Sequence, residues 1–213
     1  MIDELEKFIE ENKKSIIEFI RNGLIDNGQN NANYIVVWKE YEEQSCKLFL
    51  EYLKDKININ FIIAKSKSVY PEIIIIYDNK QYAFDIKVSV DSANPNYDIA
   101  RIDTFEDRMK KYQEEFEIVI KYNVESGVVD IFIEKLKDVI GYNKKSKGVK
   151  YRPYDGKIRP KTWDDFEKNK TYFKSNEELL IGIKNSKINR NKVLFETWKK
   201  EFSSEDIKLI TGE

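Results

Sequence analysis

The spacing of apolar and polar residues along this chain predicts a mixture of helices and strands. Helices with one apolar face are predicted over residues 3–22, 38–55 and 98–114, with two more after Ser175 and over residues 193–202. Short β-branched or alternating runs predict strands over residues 58–64, 73–77, 81–90, 116–124 and 128–133. This order predicts an α/β fold, in which a central mixed β-sheet is flanked by helices and followed by a helical C-terminal extension.

The segment 70–90 carries the most informative pattern. Two apolar strands separated by a polar turn at residues 78–80 predict a β-hairpin. Because successive side chains of a strand point to opposite faces, Asp85 and Lys87 share one face. Pairing about the turn brings Glu72 within reach of that face. Two carboxylates and one ammonium are therefore expected to converge beside the sheet.

Such a trio suits the metal-assisted hydrolysis of a phosphodiester. Carboxylate oxygens suit Mg²⁺, which lowers the pKa of a bound water and neutralises charge developing on phosphorus. A neighbouring lysine can orient or deprotonate the attacking water, or stabilise the oxyanion. A simpler interpretation stays open, since Asp85 and Lys87 can also form an exposed ion pair worth under about 1 kcal/mol.

Pro71-Glu72, followed by Asp85-Ile86-Lys87, resembles the PD-(D/E)XK motif of type II restriction endonucleases and their nuclease relatives. The resemblance implies Mg²⁺-dependent cleavage of double-stranded DNA by a homodimer on a palindromic site. By position, it implies that Glu72, Asp85 and Ile86 hold the metal and that Lys87 orients the water. The chain departs from the motif at Glu72, where the family usually has the shorter aspartate.

The resemblance also implies a catalytic glutamate on the helix that precedes the core strands. Glu42 borders the apolar stripe of the predicted helix 38–55, and Glu43 lies further round the same helix. A solvent-exposed charged face of the helix explains both glutamates equally well. The sequence therefore does not decide whether Glu42, Glu43 or neither belongs to the catalytic site.

Polar residues directly after the second hairpin strand are candidates for contact with DNA. Asn94 and Asn96 can donate to phosphate or read adenine in the major groove. The same Asn-Pro-Asn run is also ordinary turn chemistry. Arg101, on the polar side of the predicted helix 98–114, is a further candidate.

A basic segment over residues 144–161 has eight lysines and arginines against one acid, with tyrosines and prolines between them. Extended basic segments with interleaved aromatic residues suit contact with a polyanionic backbone. Arg152 and Arg159 are the best candidates for bidentate contact with guanine or phosphate, and Lys161 is a third DNA-binding candidate. The alternative is a solvated loop.

Composition excludes several classes of enzyme. Because the 213 residues include no histidine, no Ser-His-Asp or Cys-His catalysis is available, and a hydrolase must work through carboxylates, lysine and a hard metal. The single cysteine, Cys46, excludes an internal disulfide and indicates the cytoplasm. No apolar run of about 18 residues predicts a membrane span.

Together these patterns predict one nuclease domain over residues 1–213, with a core at 38–140, a basic loop at 141–162 and a helical part at 163–213. The predicted function is that of a Mg²⁺-dependent, sequence-specific DNA endonuclease. One alternative is a structure-selective or repair nuclease of the same superfamily. Another, from a different class, is a non-catalytic nucleic-acid-binding or protein-interaction domain.

Overall fold

A computed structural model of the chain describes residues 4–26, 34–64 and 70–200. In chain order the elements are α1 (Glu4–Asp26), α2 (Tyr34–Lys56), β1 (Asn60–Ile63), β2 (Ile73–Tyr77), β3 (Lys80–Val90), α3 (Phe105–Arg108), β4 (Glu114–Asn123), β5 (Gly127–Lys135), α4 (Leu136–Val139), β6 (Tyr142–Asn143), β7 (Gly148–Val149), α5 (Trp163–Glu167) and α6 (Asn176–Lys199). The α/β fold predicted from the sequence is confirmed. The asparagine-rich stretch 27–33 and the Lys-Ser run 65–68, which the sequence predicts to be loops, lie outside the described residues.

The central sheet has five strands in the order β1-β2-β3-β4-β5. Only its β3–β4 pair is parallel, and the other three pairs are antiparallel. The predicted hairpin is formed by β2 and β3, whose turn residues Asp78 and Asn79 have φ angles of 48° and 58°. Positive φ at both central positions is the geometry of a type I′ hairpin turn, which aspartate and asparagine tolerate better than most residues.

One face of the sheet packs against α1 and α2. Phe84 and Ile86, which alternate with Asp85 along β3, are fully buried in this core. The Phe84 ring lies 5.0 Å, centroid to centroid, from Phe49 of α2 and from Phe116 of β4. This apolar burial fixes the register of β3, so its acidic and basic side chains must point to the opposite face.

The opposite face of the sheet is covered by the chain after β3 and by the C-terminal elements. A second apolar core joins Tyr97 and Ile102 to Val119 of β4, Phe166 of α5 and Ile183 of α6. Both faces of β3 and β4 are therefore covered, which is usual for parallel strands.

The helix predicted over residues 98–114 is wrong, because only Phe105–Arg108 is helical there. The backbone around Ile99 instead pairs with a distant segment. Its N–H donates to the Ile158 carbonyl, while the Ile158 N–H donates to the Ala100 carbonyl. The apolar spacing that predicted a helix is satisfied by irregular chain that still buries most of these side chains in the second core.

The two helices predicted at the C-terminus are also wrong, since the described residues form one continuous helix, α6. Its predicted start is confirmed, because the Ser175 side chain accepts a hydrogen bond from the Glu178 N–H. Val193, Leu194 and Phe195, which were predicted to lie in the second helix, are exposed on α6. Phe202 lies outside the described residues.

Candidate active site

Asp85 and Lys87 form a close ion pair on β3. The Lys87 Nζ lies 2.7 Å from Asp85 Oδ2. Asp85 is only 4% exposed, so the exposed ion pair considered from the sequence does not describe it. Burial lowers the pKa of Lys87, but the Asp85 and Glu117 carboxylates raise it more, and the net pKa lies above its ordinary value. The ammonium form is therefore favoured in this setting.

Glu72 lies immediately before β2 and reaches the same three-residue stretch of β3. Its Oε2 accepts a hydrogen bond of 3.1 Å from the Ile86 backbone N–H. The predicted approach of Glu72 to the Asp85–Lys87 segment is thus found in the structure. The Ile86 side chain is buried in the first core. Because the N–H and C=O of one strand residue point the same way, the Ile86 carbonyl faces the side of β3 where Glu72 lies.

Glu117 is a further acid at this place, and sequence reasoning missed it. Its Cα is the register partner of Asp85 across the parallel β3–β4 pair. The side chain is 0% exposed, and neither oxygen makes a hydrogen bond of normal geometry with the described residues. Burial, more than the charge of Asp85, raises its pKa to about 7. The Tyr97 hydroxyl lies close enough to the Glu117 carboxylate to lower the pKa of that carboxylate. The two groups do not, however, have the geometry of a hydrogen bond.

A second buried cluster supports the chain that leads into Glu72. Arg108 Nε lies 2.7 Å from Glu115 Oε2, and the Tyr70 hydroxyl donates to the same oxygen. The Arg108 guanidinium also stacks 3.2 Å from the Tyr70 ring centroid. Tyr70 stands two residues before Glu72. The cluster therefore fixes the approach of the chain to the site.

A sequence signal for these acids did exist. In the predicted strand 116–124, Glu117 stands between Phe116 and Ile118 and so faces the side opposite an apolar stripe, and Glu115 precedes that strand by one residue in the same alternation. A buried strand with two acids on one face implies partners for them. Arg108 had no comparable signal, because its segment, residues 98–114, was predicted as a helix, and Tyr97 stands just before that segment.

The two helix glutamates lie on α2, which packs against β3. Glu42 is half-buried and Glu43 is exposed. Burial raises the pKa of the Cys46 thiol on the same helix to about 11, with smaller contributions from Glu72 and Glu43. Cys46 is thus within electrostatic reach of both of those carboxylates. The role of Glu42 or Glu43 in the site stays a prediction.

The donor set of the site fits a hard cation. Among the described residues, no three acidic or cysteine side chains converge into a closed metal cage. Mg²⁺ does not need one, because it keeps several waters and is usually held by one or two carboxylates together with substrate phosphate. Asp85, with an acid on either side of it, offers oxygen ligands of this kind.

Two DNA-binding candidates of the basic segment, Arg152 and Arg159, meet at one acid, Asp98, and Arg152 also pairs with Asp155. The Asp98 carboxylate lies 2.6 Å from Arg159, 2.7 Å from Lys157 and 3.2 Å from Arg152. Arg159 also donates to the Asn96 side chain at 2.8 Å. The structure therefore brings Asn96, Arg152 and Arg159 together at one place. Asn94 and Arg101 are exposed nearby in sequence.

Lys161 does not fit the predicted role in DNA binding. It is 1% exposed, and its Nζ donates to the Lys170 carbonyl at 3.1 Å above the Phe166 ring. Burial lowers the pKa of this lysine. An ammonium enclosed in this way cannot reach a phosphate in this conformation, so Lys161 is a structural residue of the second core.

Comparison with known proteins identifies the family of the chain. The NgoBV restriction endonuclease family matches residues 9–212. The chain belongs to this family. The endonuclease is a type II site-specific deoxyribonuclease, a hydrolase that cleaves DNA at specific sequences. The PD-(D/E)XK resemblance thus led to the right class of enzyme.

The fold of the endonuclease is similar to that of a solved structure, the NlaIV restriction endonuclease. The two chains are 18% identical, with a TM-score of 0.54 over 85% of this chain and 76% of the other. At this identity the likeness supports the fold alone. No curated protein matches the chain. In residues 4–26, 34–64 and 70–200, no helix has the length and apolar character needed to cross a membrane.

Proposed function

We propose that the endonuclease hydrolyses double-stranded DNA with Mg²⁺ at a site formed by Glu72, Asp85 and Lys87. The observation that carries the proposal is the buried Asp85–Lys87 pair, with a separation of 2.7 Å, beside a Glu72 that is hydrogen-bonded to Ile86. A buried acid with a lysine on one face and a second acid at its side is the arrangement that metal-assisted phosphodiester cleavage needs.

Each residue has a definite role in this proposal. Asp85 and Glu72 would hold Mg²⁺, assisted by the Ile86 carbonyl. When bound, the cation neutralises charge on the scissile phosphate and lowers the pKa of a coordinated water. Lys87, whose ammonium is anchored by Asp85, donates hydrogen bonds that orient the attacking water and stabilise the oxyanion. Glu42 or Glu43 would complete the acidic site from α2.

DNA contact is proposed for the surface organised by Asp98. Ion pairs to Asp98 restrict the side chains of Arg152 and Arg159, so less conformational entropy is lost when their remaining donors meet phosphate or guanine. Asn96 lies against Arg159. Asn94 and Arg101 remain proposed contacts beside this surface.

A homodimer acting in the cytoplasm completes the proposal. A twofold-symmetric pair of subunits matches a palindromic site, because each subunit then reads one half-site. The exposed apolar residues of α6, among them Ile188 and Phe195, offer surface for a second copy. A free Cys46 without a described disulfide partner suits a reducing compartment.

The test is digestion of unmethylated phage DNA with and without Mg²⁺, using the wild type, D85N and D130N. Asp130 is the matched control, because it is a strand aspartate paired with Arg21 and far from the site in the sheet order. We expect discrete fragments only with Mg²⁺, from the wild type and D130N but not from D85N. Cleavage by D85N, or cleavage without any divalent metal, would contradict the proposed chemistry.

A further inference from the structure

Six charged side chains are buried in the described ranges, and five of them are acids. Four of these acids have a cation close by. The pairs are Glu6 with Lys135 at 2.6 Å, Asp85 with Lys87 at 2.7 Å, Glu115 with Arg108 at 2.7 Å and Asp165 with Lys170 at 3.2 Å. Glu117 is the exception, since both of its oxygens are buried and neither has a hydrogen-bond partner.

The position of Glu117 makes this exception meaningful. Register partners on adjacent parallel strands point their side chains to the same face, so the carboxylates of Asp85 and Glu117 lie side by side. Lys87 contacts Asp85, and it supplies a single positive charge. One ammonium cannot neutralise two adjacent carboxylates. Arg108 also lies within electrostatic reach of Glu117, but it is ion-paired with Glu115 at 2.7 Å. The described residues therefore hold fewer positive charges than carboxylates at this point.

We propose that Glu117 is a further ligand of the divalent cation, which it would hold together with Asp85. The inference rests on the proposed function, because it assumes the Mg²⁺ site, and it adds a ligand from β4 that the sequence motif does not contain. Two adjacent carboxylates suit Mg²⁺, and neither oxygen of Glu117 has a hydrogen-bond partner among the described residues. The cation would supply the positive charge that is lacking beside Glu117. The Glu72 Oε2 atom already accepts a hydrogen bond from the Ile86 N–H, whereas neither oxygen of Glu117 accepts one from the described residues.

The experiment measures binding of Mg²⁺ alone, without DNA, by calorimetric titration and by the Mg²⁺-dependent rise in melting temperature. The variants are E117Q and E117M, with D85N as the reference for a lost ligand. E114Q is the matched control, because Glu114 is a neighbouring glutamate of the same strand that pairs with Lys135. Loss of partners around a metal typically weakens binding about 10- to 100-fold, and we expect at least that for E117Q and E117M but not for E114Q.

A second readout separates a ligand from a structural residue. In EDTA, E117M should melt at or above the wild-type temperature, because it removes an uncompensated buried charge and fills the same space. Mg²⁺ should then raise the melting temperature of the wild type and of E114Q only. E117M that binds Mg²⁺ like the wild type would overturn the inference while leaving the Mg²⁺ site intact. A wild type that binds no Mg²⁺ would instead overturn the proposed function itself.

Discussion

Glu115 and Glu117 stand on the same face of β4, yet their surroundings differ completely. Glu115 receives hydrogen bonds from Arg108 and Tyr70, whereas neither oxygen of Glu117 has such a partner in the described chain. A buried carboxylate is tolerated when a cation compensates its charge, and it is costly when nothing does. The first glutamate therefore explains how the site is held in place. The second indicates where a charge from outside the protein is needed.

The largest effect is expected from removing the cation of the compensated glutamate. R108M leaves Glu115 buried without its ion pair, and breaking such a pair costs about 3–5 kcal/mol of stability. We expect the midpoint of urea unfolding to fall accordingly, with little change in the slope. The measurement is a set of urea titrations followed by circular dichroism.

Two variants control for this prediction. K168M removes the cation of the exposed Lys168–Asp164 pair, which should be worth at most about 1 kcal/mol. The double variant R108M/E115M replaces both charges of the buried pair by apolar groups and should recover much of the loss. Equal destabilisation by R108M and K168M would show that the Arg108–Glu115 pair is not a buried structural contact.

A loss of DNA-cleavage rate is expected at Lys87, which contacts Asp85 beside Glu117. K87R keeps a positive charge next to Asp85 but replaces the compact ammonium by a planar guanidinium. Misplacing one donor to a developing oxyanion typically lowers kcat about 10²- to 10³-fold, and we expect a loss of this size in DNA cleavage at saturating Mg²⁺. K121R is the control, since Lys121 pairs with Asp91 and Glu167. Full activity of K87R would argue against a positional role.

The smallest effect is expected at Asp98, an acid that is compensated like Glu115 but only partly buried. Burial raises the pKa of Asp98, but hydrogen bonds from Lys157 and Arg159 lower it more, and the net pKa lies below the ordinary 3.8. The stability that this carboxylate contributes is therefore present above pH 3.8 and is lost as the pH falls through the lower folded-state pKa.

The variant D98N should consequently melt below the wild type at pH 7, and the two melting curves should approach each other as the pH falls below 3.8. Thermal melts between pH 7 and pH 3 provide the measurement. A difference in melting temperature that stays constant over this range would mean that the charge of Asp98 is not what stabilises the segment.

What the sequence predicted well depends on local rules. The turn at Asp78-Asn79 and the alternation along β3 placed Asp85 and Lys87 on one face, and the hairpin brought Glu72 to them. Strand period and turn chemistry involve only neighbouring residues, so one sequence is enough to apply them. The composition, which lacks histidine, excludes histidine chemistry, and the restriction to carboxylates and lysine stays a prediction.

What the sequence failed to predict depends on distant partners. The segment around Ile99 has helical spacing, but its backbone bonds with Ile158 override that local preference. Arg159 looked like a free cation until Asp98 was found beside it, and Lys161 looked exposed because it lies in a charged run. The alternation along its strand marks Glu117 as an acid on a buried strand, but its partner in register, Asp85, follows only from the parallel pairing of β3 and β4.

The segment around Ile99 forms backbone hydrogen bonds with Gly156 and Ile158, which are synthesised much later. This pairing affects the order in which parts of the enzyme can fold during synthesis. Synthesis proceeds from the N-terminus, so the hairpin with Asp85 and Lys87 leaves the ribosome long before Gly156 does. Until then the segment that follows Tyr97, a neighbour of Glu117, lacks its backbone hydrogen bonds to Gly156 and Ile158. The chain therefore carries its proposed catalytic motif from early in synthesis, but the segment beside that motif is completed only when most of the protein has been made.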